Sequence, residues 1–343
     1  MSYIRGLIRG AAYVSGALTT LHRIQNAHHL TTAMLHRVLP RGAAAWDAAD
    51  PEYTLAADVF ADALSFLADN YNIVSLKQLN AAQVGGPGLP EHPLLITFDD
   101  GWSDTLDHAA GPLQKRRLPA VCFVASDAVD DESPDWWQDT FTAAWRRQRV
   151  GEKEIIESWS TLGHAPIPDM PGVNAYLRCL MMLQELPADT RKSLLEPHRT
   201  FTEEQADRQM LSSNRVRMLV TAGIEIGAHG ASHLPITMCR NALQEMSRSR
   251  LRLTSLIAAT SQCAVTAMSF PHGRYNADAV QAARGAGYKL LFTSKPTLSR
   301  LKLGRPESNI HGRIQISSQE ITDASGRFRA DRMATYLFRR PAD

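Results

Sequence analysis

The stretch Leu94-Leu95-Ile96-Thr97-Phe98-Asp99-Asp100-Gly101 constrains the fold of this chain more than any other. A short apolar, β-branched run reads as a buried strand, and this one stops on two adjacent carboxylates and a glycine. Two like charges at the end of a core strand repel each other. Burial leaves one of them protonated unless a cation or a strong partner sits beside them. The alternative is an exposed Asp-Asp-Gly turn, which is common after strands. A second stretch, Gly223-Ile224-Glu225-Ile226-Gly227-Ala228-His229-Gly230-Ala231-Ser232-His233, favours the buried reading. It too is a short strand pattern running into polar residues, and its histidines are spaced i, i+4, which on a helical turn places both imidazoles on one face. Two histidines and one carboxylate at predicted strand ends make a three-ligand set with room for water. That is the arrangement of a catalytic zinc rather than a structural one.

The rest of the chain alternates strand and helix. Leu30–Leu39 reads as a strand ending on His36-Arg37-Val38 ahead of Pro40, and Tyr53–Tyr71 as a helix with Thr54 as N-cap. Asn72–Leu76 is a short strand, Ser75 caps a helix through Val84, and Gly85-Gly86-Pro87-Gly88 leads into the central strand. A helix over Ser103–Arg117 and a strand over Leu118–Ala125 follow. Helices over Leu211–Ala222, Cys239–Ala259 and Asp278–Gly285 alternate with strands at Val265–Phe270 and Tyr288–Thr293, and Gly312–Ser317 reads as a closing strand. Such alternation predicts a parallel sheet, and 343 residues suit a single α/β barrel with insertions. Four strands then end on His36, on Asp99-Asp100, on His229 with His233, and on Pro271-His272-Gly273, and in a parallel barrel these ends share one mouth. The expected organisation is a helical segment over 1–29, a barrel over 30–317 with a helical insertion at 134–210, and a helical tail over 318–343. Pro134-Asp135-Trp136-Trp137 opens the insertion, a lid or side cluster packed on the barrel. Trp136 and Trp137 either stack on sugar rings or anchor the packing of the insertion.

Thr97-Phe98-Asp99-Asp100-Gly101, followed at this distance by Glu225-Ile226-Gly227-Ala228-His229 and His233, resembles the polysaccharide deacetylases of the NodB-homology type, carbohydrate esterase family 4. The resemblance runs from about Thr31 to about Ile316, with a gap across the insertion. It implies a distorted (β/α)7 barrel and hydrolysis of N-acetyl groups on the amino sugars of a polysaccharide or glycolipid. It further implies one divalent metal, zinc being expected, on Asp100, His229 and His233, with Asp99 as general base. The segment around His36 resembles the Tyr-His-x-Val segment of the exopolysaccharide-deacetylase branch, in which this histidine is the general acid. Phe270-Pro271-His272-Gly273 resembles the third motif, and Pro271, His272 and Gly273 are expected to line the substrate. Three departures stand out. His272 replaces a tyrosine, and Ser269 stands where an arginine that orients the base is expected, so a different group is expected to hold Asp99. Gly230 replaces the Ser or Thr that often follows the first metal histidine. Finally, Leu290-Leu291-Phe292-Thr293 lacks the histidine of the late Leu-x-x-His motif, leaving His311 as the nearby substitute. Two other readings are an O-deacetylase or other amidohydrolase on a glycan, and a glycan-binding protein with a decayed site. An intact Asp99, Asp100, His229 and His233 set argues against decay, since an unpaired acidic pair at a strand end is costly to keep.

Composition narrows the partners. With 44% apolar residues, 21% charged residues and a net charge of +2, the chain has no dense basic stripe, and no nucleic acid is expected to bind. Cys122, Cys179, Cys239 and Cys263 are scattered in mostly apolar surroundings and read as reduced core residues, which favours a reducing compartment. Near the amino terminus, Arg5, Arg9 and Arg23 surround an apolar run, Ala11–Leu21, that Ser, Gly and Thr interrupt. That run is too short and too polar to span a bilayer and lacks a small-residue cleavage site. Residues 1–25 read as an amphipathic helix that touches a membrane surface, or as an ordinary surface helix. The expected location is the cytoplasm or the inner face of a membrane, where a nascent glycan or a lipid- or nucleotide-linked sugar is the substrate. The cellular protein is accordingly expected to keep residues 1–30. Intact-mass measurement checks this, and a chain cut near Ala27 and exported would overturn it.

Overall fold

Strands form where the sequence offers unbroken apolar or β-branched runs, and their order places every polar strand end on one side. The computed structural model describes residues 2–130, 136–163, 173–198, 209–261, 264–300 and 309–343. In chain order the strands are β1 (His29–Leu35), β2 (Arg37–Leu39), β3 (Thr54–Ala56), β4 (Asn72–Ile73), β5 (Pro93–Phe98), β6 (Ala120–Val124), β7 (Ile224–Ala228), β8 (Ala267–Ser269), β9 (Leu290–Phe292), β10 (Ser299–Arg300), β11 (Ile310–His311) and β12 (Ile314–Gln315). β1, β5, β6, β7, β8 and β9 run parallel in that spatial order, and β11 extends the sheet in parallel beyond β9. β12 pairs in parallel with β1 at the opposite edge, Ala33 facing Ile314. The short segment from Ile310 to Gln315 therefore bridges both edges and nearly closes the sheet into a barrel. Gly312 sits at the kink between β11 and β12, where a Cβ would stand 2.4 Å from Oγ1 of Thr297 and 2.7 Å from the Lys295 carbonyl oxygen. No side chain fits there.

The barrel interior follows the two-residue period of a strand. Leu30, Leu95, Val121, Phe123, Ala267, Leu290 and Phe292 share one buried cluster with Val74, Leu76 and Leu79, which belong to the segment after β4 and the helix Leu76–Gln83. That helix begins with a capping box, Ser75 with Gln78, as its sequence predicts. It is also capped from β7, because the Glu225 carboxylate accepts from the backbone N–H groups of Leu76 at 2.6 Å and Lys77 at 3.0 Å. Two residues further along β7, Gly227 leaves room for the Phe123 ring, which would lie 2.3 Å from a Cβ at that position. Two residues further again comes His229. One strand thus serves helix cap, core and site at successive alternate positions.

Local expectations differ from the structure at several points. Thr54 lies in β3, paired with Arg37 of β2, and the following helix begins only at Ala57. The amino-terminal segment forms two helices, α1 (Ser2–Val14) and α2 (Ala17–Gln25), because Gly16 adopts φ 77° between them. No described helix is long and apolar enough to cross a membrane. Cys122, Cys179 and Cys239 are free thiols, while Cys263 lies outside the described residues.

A second compact unit comprises residues 132–208 together with Arg41–Asp50. Its core gathers Phe141, Ile155, Cys179, Met182, Leu183 and Leu195 from helices of the insertion. Arg41–Asp50 belongs to it through polar ties: the Tyr176 hydroxyl donates to Asp50 at 2.6 Å, and Arg146 donates to the carbonyl of Ala49 at 2.6 Å. The remaining residues form the barrel unit.

The packing at Gly227 makes a stability prediction. Gly227→Ala should cost about 1–3 kcal/mol, because the fully buried Phe123 ring must leave its place. Gly10→Ala, in α1 with no atom beyond its chain neighbours and its own helix backbone within 4 Å of the new methyl, should be neutral or stabilise by up to about 1 kcal/mol. Urea unfolding of the two variants against the parent separates these outcomes.

Candidate active site

β5 delivers Asp99 and Asp100 to the mouth of the barrel, and each carboxylate has its own set of partners. Asp99 is held by Arg313 in a bidentate pair, with Nη1 to Oδ1 at 2.6 Å and Nη2 to Oδ2 at 2.7 Å. Arg313 follows the kink at Gly312 and is only 1% exposed. Its remaining donors reach Oγ of Ser269 at 2.7 Å and the Thr293 carbonyl at 3.0 Å. The arginine expected near Ser269 is thus supplied by the closing strand, and Ser269 accepts from it. Burial alone would raise the Asp99 carboxyl, but the Arg313 charge and then His229 outweigh it and hold Asp99 below the ordinary carboxylate range.

Asp100 turns away in the left-handed region at φ 74°, followed by Gly101 at φ 90°, where a Cβ would meet Cγ1 of Val124 at 2.9 Å. Its Oδ2 accepts from the indole N–H of Trp102 at 2.9 Å. The Arg37 guanidinium lies over the Trp102 ring, 4.1 Å from its centroid, and donates to Asp104 at 2.9 Å and to Gln209 at 2.9 Å. The other oxygen, Oδ1, faces Nε2 of His229 at 3.4 Å and Nε2 of His233 at 3.2 Å. Burial works against the charge of Asp100, yet the two imidazoles keep its carboxyl well below the usual range.

His229 and His233 do not lie on a helical turn. They flank a loop in which Gly230 has φ 72° and His233 φ 59°, and this loop brings the ring centroids to 5.0 Å. His229 continues β7 and donates Nδ1–H to the Ser269 carbonyl at 3.0 Å, which turns Nε2 toward the carboxylates. Burial lowers its pKa, but Asp99 and then Asp100 outweigh that and raise it. A Cβ at position 230 would approach Cγ of Pro271 to 3.2 Å, so the Ser or Thr expected there has little space. The ties come from Glu245 instead, whose Oε1 accepts from the N–H groups of Ala231 and Ser232 and from the Ser232 hydroxyl at 3.0, 2.6 and 2.7 Å. The ligand atoms of Asp100, His229 and His233 all lie within 4.8 Å of one another. A carboxylate and two imidazole nitrogens, one with its tautomer fixed from behind, suit a divalent cation.

The other candidates separate clearly. His36 lies between β1 and β2, its ring edge-on to Tyr53 at 4.7 Å and its buried Nδ1 without a hydrogen-bond partner. Burial lowers its pKa from the ordinary histidine value, opposed by the fields of Asp100 and Asp99. His272, at φ 55°, has Nε2 3.2 Å from the His233 carbonyl and its ring 4.5 Å from the His233 ring. Pro271 backs Gly230, and Gly273 fits against Ser294 with no room for a Cβ, so this turn supports the histidine loop. His311 is buried against Phe292 with Nε2 2.8 Å from Nε2 of Gln83, and burial drives its pKa to about 4. Trp137 packs on the core of the second unit beneath the Arg191 guanidinium at 4.5 Å, and Trp136 is the N-cap of the same helix.

Reasoning from sequence did not identify Arg313, Trp102 or Glu245 as site residues. The available signals were slight: an arginine inside the apolar closing strand, a tryptophan directly after Asp-Asp-Gly, and a glutamate in the first turn of the helix Ala242–Ile257.

A family model described as polysaccharide deacetylase matches residues 87–165 and 195–291, just over half of the chain, and the chain belongs to that family. Comparison with solved structures gives the same fold. The deacetylase PplD of Streptococcus pyogenes, in complex with acetate, superposes with a TM-score of 0.56 at 14% identity over 91% of this chain and 99% of that one. IcaB from Ammonifex degensii gives 0.55 at 16% identity over 91% and 98%. A de-N-acetylase from Aggregatibacter actinomycetemcomitans gives 0.53 at 18% identity over 87% and 98%. Comparison with curated protein sequences gave no match.

The Arg313–Asp99 pair carries a pH-dependent prediction. Asp99 has its folded pKa depressed, so its contribution to stability is complete above the unfolded value of about 3.9 and is lost as pH falls through the lower folded value. Arg313→Met removes the cation and lets burial raise that pKa above the unfolded one. The variant should lose about 3–5 kcal/mol at pH 7.5, and the deficit should shrink toward pH 5 as Asp99 binds a proton. Urea unfolding at the two pH values checks it, and a pH-independent deficit would contradict the assignment.

Proposed function

We propose that this chain is a divalent-metal-dependent hydrolase that removes N-acetyl groups from amino sugars of a polysaccharide or glycolipid, with zinc as the ion. The observation that carries this reading is the meeting of Asp100, His229 and His233 beside a separately anchored Asp99 in a member of the polysaccharide deacetylase family. The neighbouring de-N-acetylase and the acetate held by PplD support an acetyl amide as the bond attacked.

When bound to these three residues, the cation supplies Lewis acidity that acidifies water and polarises an acetyl carbonyl. The chain's own residues do the rest. Asp99, kept ionised and fixed by Arg313, takes a proton from the attacking water. Trp102 holds the second oxygen of Asp100, so that Oδ1 stays turned toward the histidines. His36 starts neutral at neutral pH because burial lowers its pKa. The proton taken up by Asp99 is returned through this imidazole to the departing amine. His36 is preferred to His272, whose Nε2 is engaged with the His233 carbonyl, and to His311, which is enclosed with Gln83.

Elemental analysis of the purified protein should find one divalent ion per chain, and His233→Ala should lose it. Asp99→Asn should keep the ion and lose most activity. His36→Gln should lose about 10²- to 10⁴-fold in kcat with metal content and thermal stability unchanged. Substrate is tested by acetate release from N-acetylglucosamine oligomers, lipid-linked glycans and O-acetylated glycans. Release only from O-acetyl esters, absence of metal in the parent, or equal metal in His233→Ala would overturn the reading. A loss in His272→Gln but not in His36→Gln would reassign the acid.

A further inference from the structure

α1 is docked with its polar side inward. Among its described side chains Leu7, Ile8, Ala11 and Val14 fall on one helical face, and that face is open to solvent: Leu7 is 57%, Ile8 65% and Val14 86% exposed. The contact with the rest of the barrel unit comes from the other side, where Nε of Arg9 donates to the buried Asp331 carboxylate at 2.7 Å. Asp331 belongs to the C-terminal helix Ala330–Phe338. α2 buries Leu18 and His22 and leaves Ile24 76% exposed. A surface helix normally turns its apolar stripe to the core. Here the stripe is the outer surface, which marks a site that something apolar covers.

Beside α1 lies a groove of about 370 Å³ whose lining includes Arg9, Arg332, Arg339, Arg340 and Tyr336, with Glu320 as its one carboxylate. Arg332 and Arg340 donate to the backbone carbonyls of Glu320 and Tyr336 at 3.1 and 3.0 Å, which orients them without neutralising them. The Arg340 guanidinium also lies over the Tyr336 ring, 4.0 Å from its centroid, and Arg339 is exposed. An apolar helical stripe beside a basic groove is the composition of a helix that lies in a lipid headgroup layer. A second copy fits poorly, because a two-fold contact through this face brings the arginines of one copy toward those of the other. We propose that α1 and the adjacent arginine groove dock on a membrane surface of anionic phospholipid. The stripe enters the headgroup layer, and Arg332, Arg339 and Arg340 take lipid phosphates. This inference is independent of the reaction assigned above.

Cosedimentation of the full chain with vesicles of phosphatidylcholine alone, or with one quarter phosphatidylglycerol, is the test. The parent should bind the anionic vesicles at least about tenfold more tightly, and high salt should weaken that preference. Leu7→Ser with Ile8→Ser should reduce binding to both vesicles about tenfold or more, since apolar insertion is lost. Arg339→Glu should remove most of the preference for the anionic ones. If the double variant melts at a lower temperature, Val14→Asp takes its place, because that side chain is almost wholly exposed. Absence of vesicle binding by the parent, or equal binding by all variants, would overturn the proposal. So would a dimer in sedimentation velocity that Leu7→Ser with Ile8→Ser dissolves, or binding of inorganic phosphate without binding of vesicles.

Discussion

Asp99 and Arg313 form a buried bidentate ion pair between the end of β5 and the strand that closes the barrel. Either charge alone in that interior would cost several kcal/mol, so each requires the other. Arg313 arrives because Gly312 lets the chain kink from the β9 edge to the β1 edge, and its other donors are taken by Ser269 and Thr293 at the ends of β8 and β9. One guanidinium therefore links the closure of the sheet to the ionisation of the carboxylate at its mouth. Ser269 couples this pair to the histidines as well. Its hydroxyl accepts from Arg313, and its carbonyl accepts from His229.

The backbone around the site is held in conformations that ordinary side chains avoid. Asp100, His233 and His272 all have φ between 55° and 74°, each next to or near a glycine that is also left-handed. Such residues cost about 1–3 kcal/mol each and persist only where neighbours over-determine them. Those neighbours are identifiable here. Trp102, pressed by Arg37, fixes Asp100, while Glu245 gathers three donors of the histidine loop and Pro271 packs on Gly230. Rigidity is the consequence. Side chains from residues 129 positions apart, Asp100 and His229, are held close enough to form a candidate cation site.

Period-two alternation lets short strands serve two ends of the barrel at once. On β7 the sequence Glu225-x-Gly227-x-His229 places a helix cap, a gap for an aromatic ring and a candidate ligand in one line. The same logic makes a one-residue shift in register ruinous, because it would turn all three to the outer face.

Much of this was legible locally. The apolar runs mark the strands, Ser75 with Gln78 marks a helix start, and the abrupt acidic pair together with two spaced histidines singles out the side chains that meet at the mouth. These features depend on neighbours within a few residues, where propensity and spacing act directly. The arginine that anchors Asp99 lies 214 residues away, and no local pattern distinguishes it from a surface arginine in a strand. The histidine spacing suggested a helical turn, but loop geometry imposed by Glu245 and Pro271 joins the rings instead. Thr54 looks like a helix cap by itself and is drawn into a strand by Arg37. Arg41–Asp50 joins the second unit only through the partners it meets in space. The amphipathic pattern of α1 was readable, whereas the direction of its apolar face was not, since that depends on Asp331 waiting on the last helix. Sequence thus determined the elements and the chemical types gathered at the mouth. Tertiary structure alone chose the partners of the buried charges, because a charge in a low-dielectric interior selects whichever counter-charge the fold brings to it, however distant in the chain.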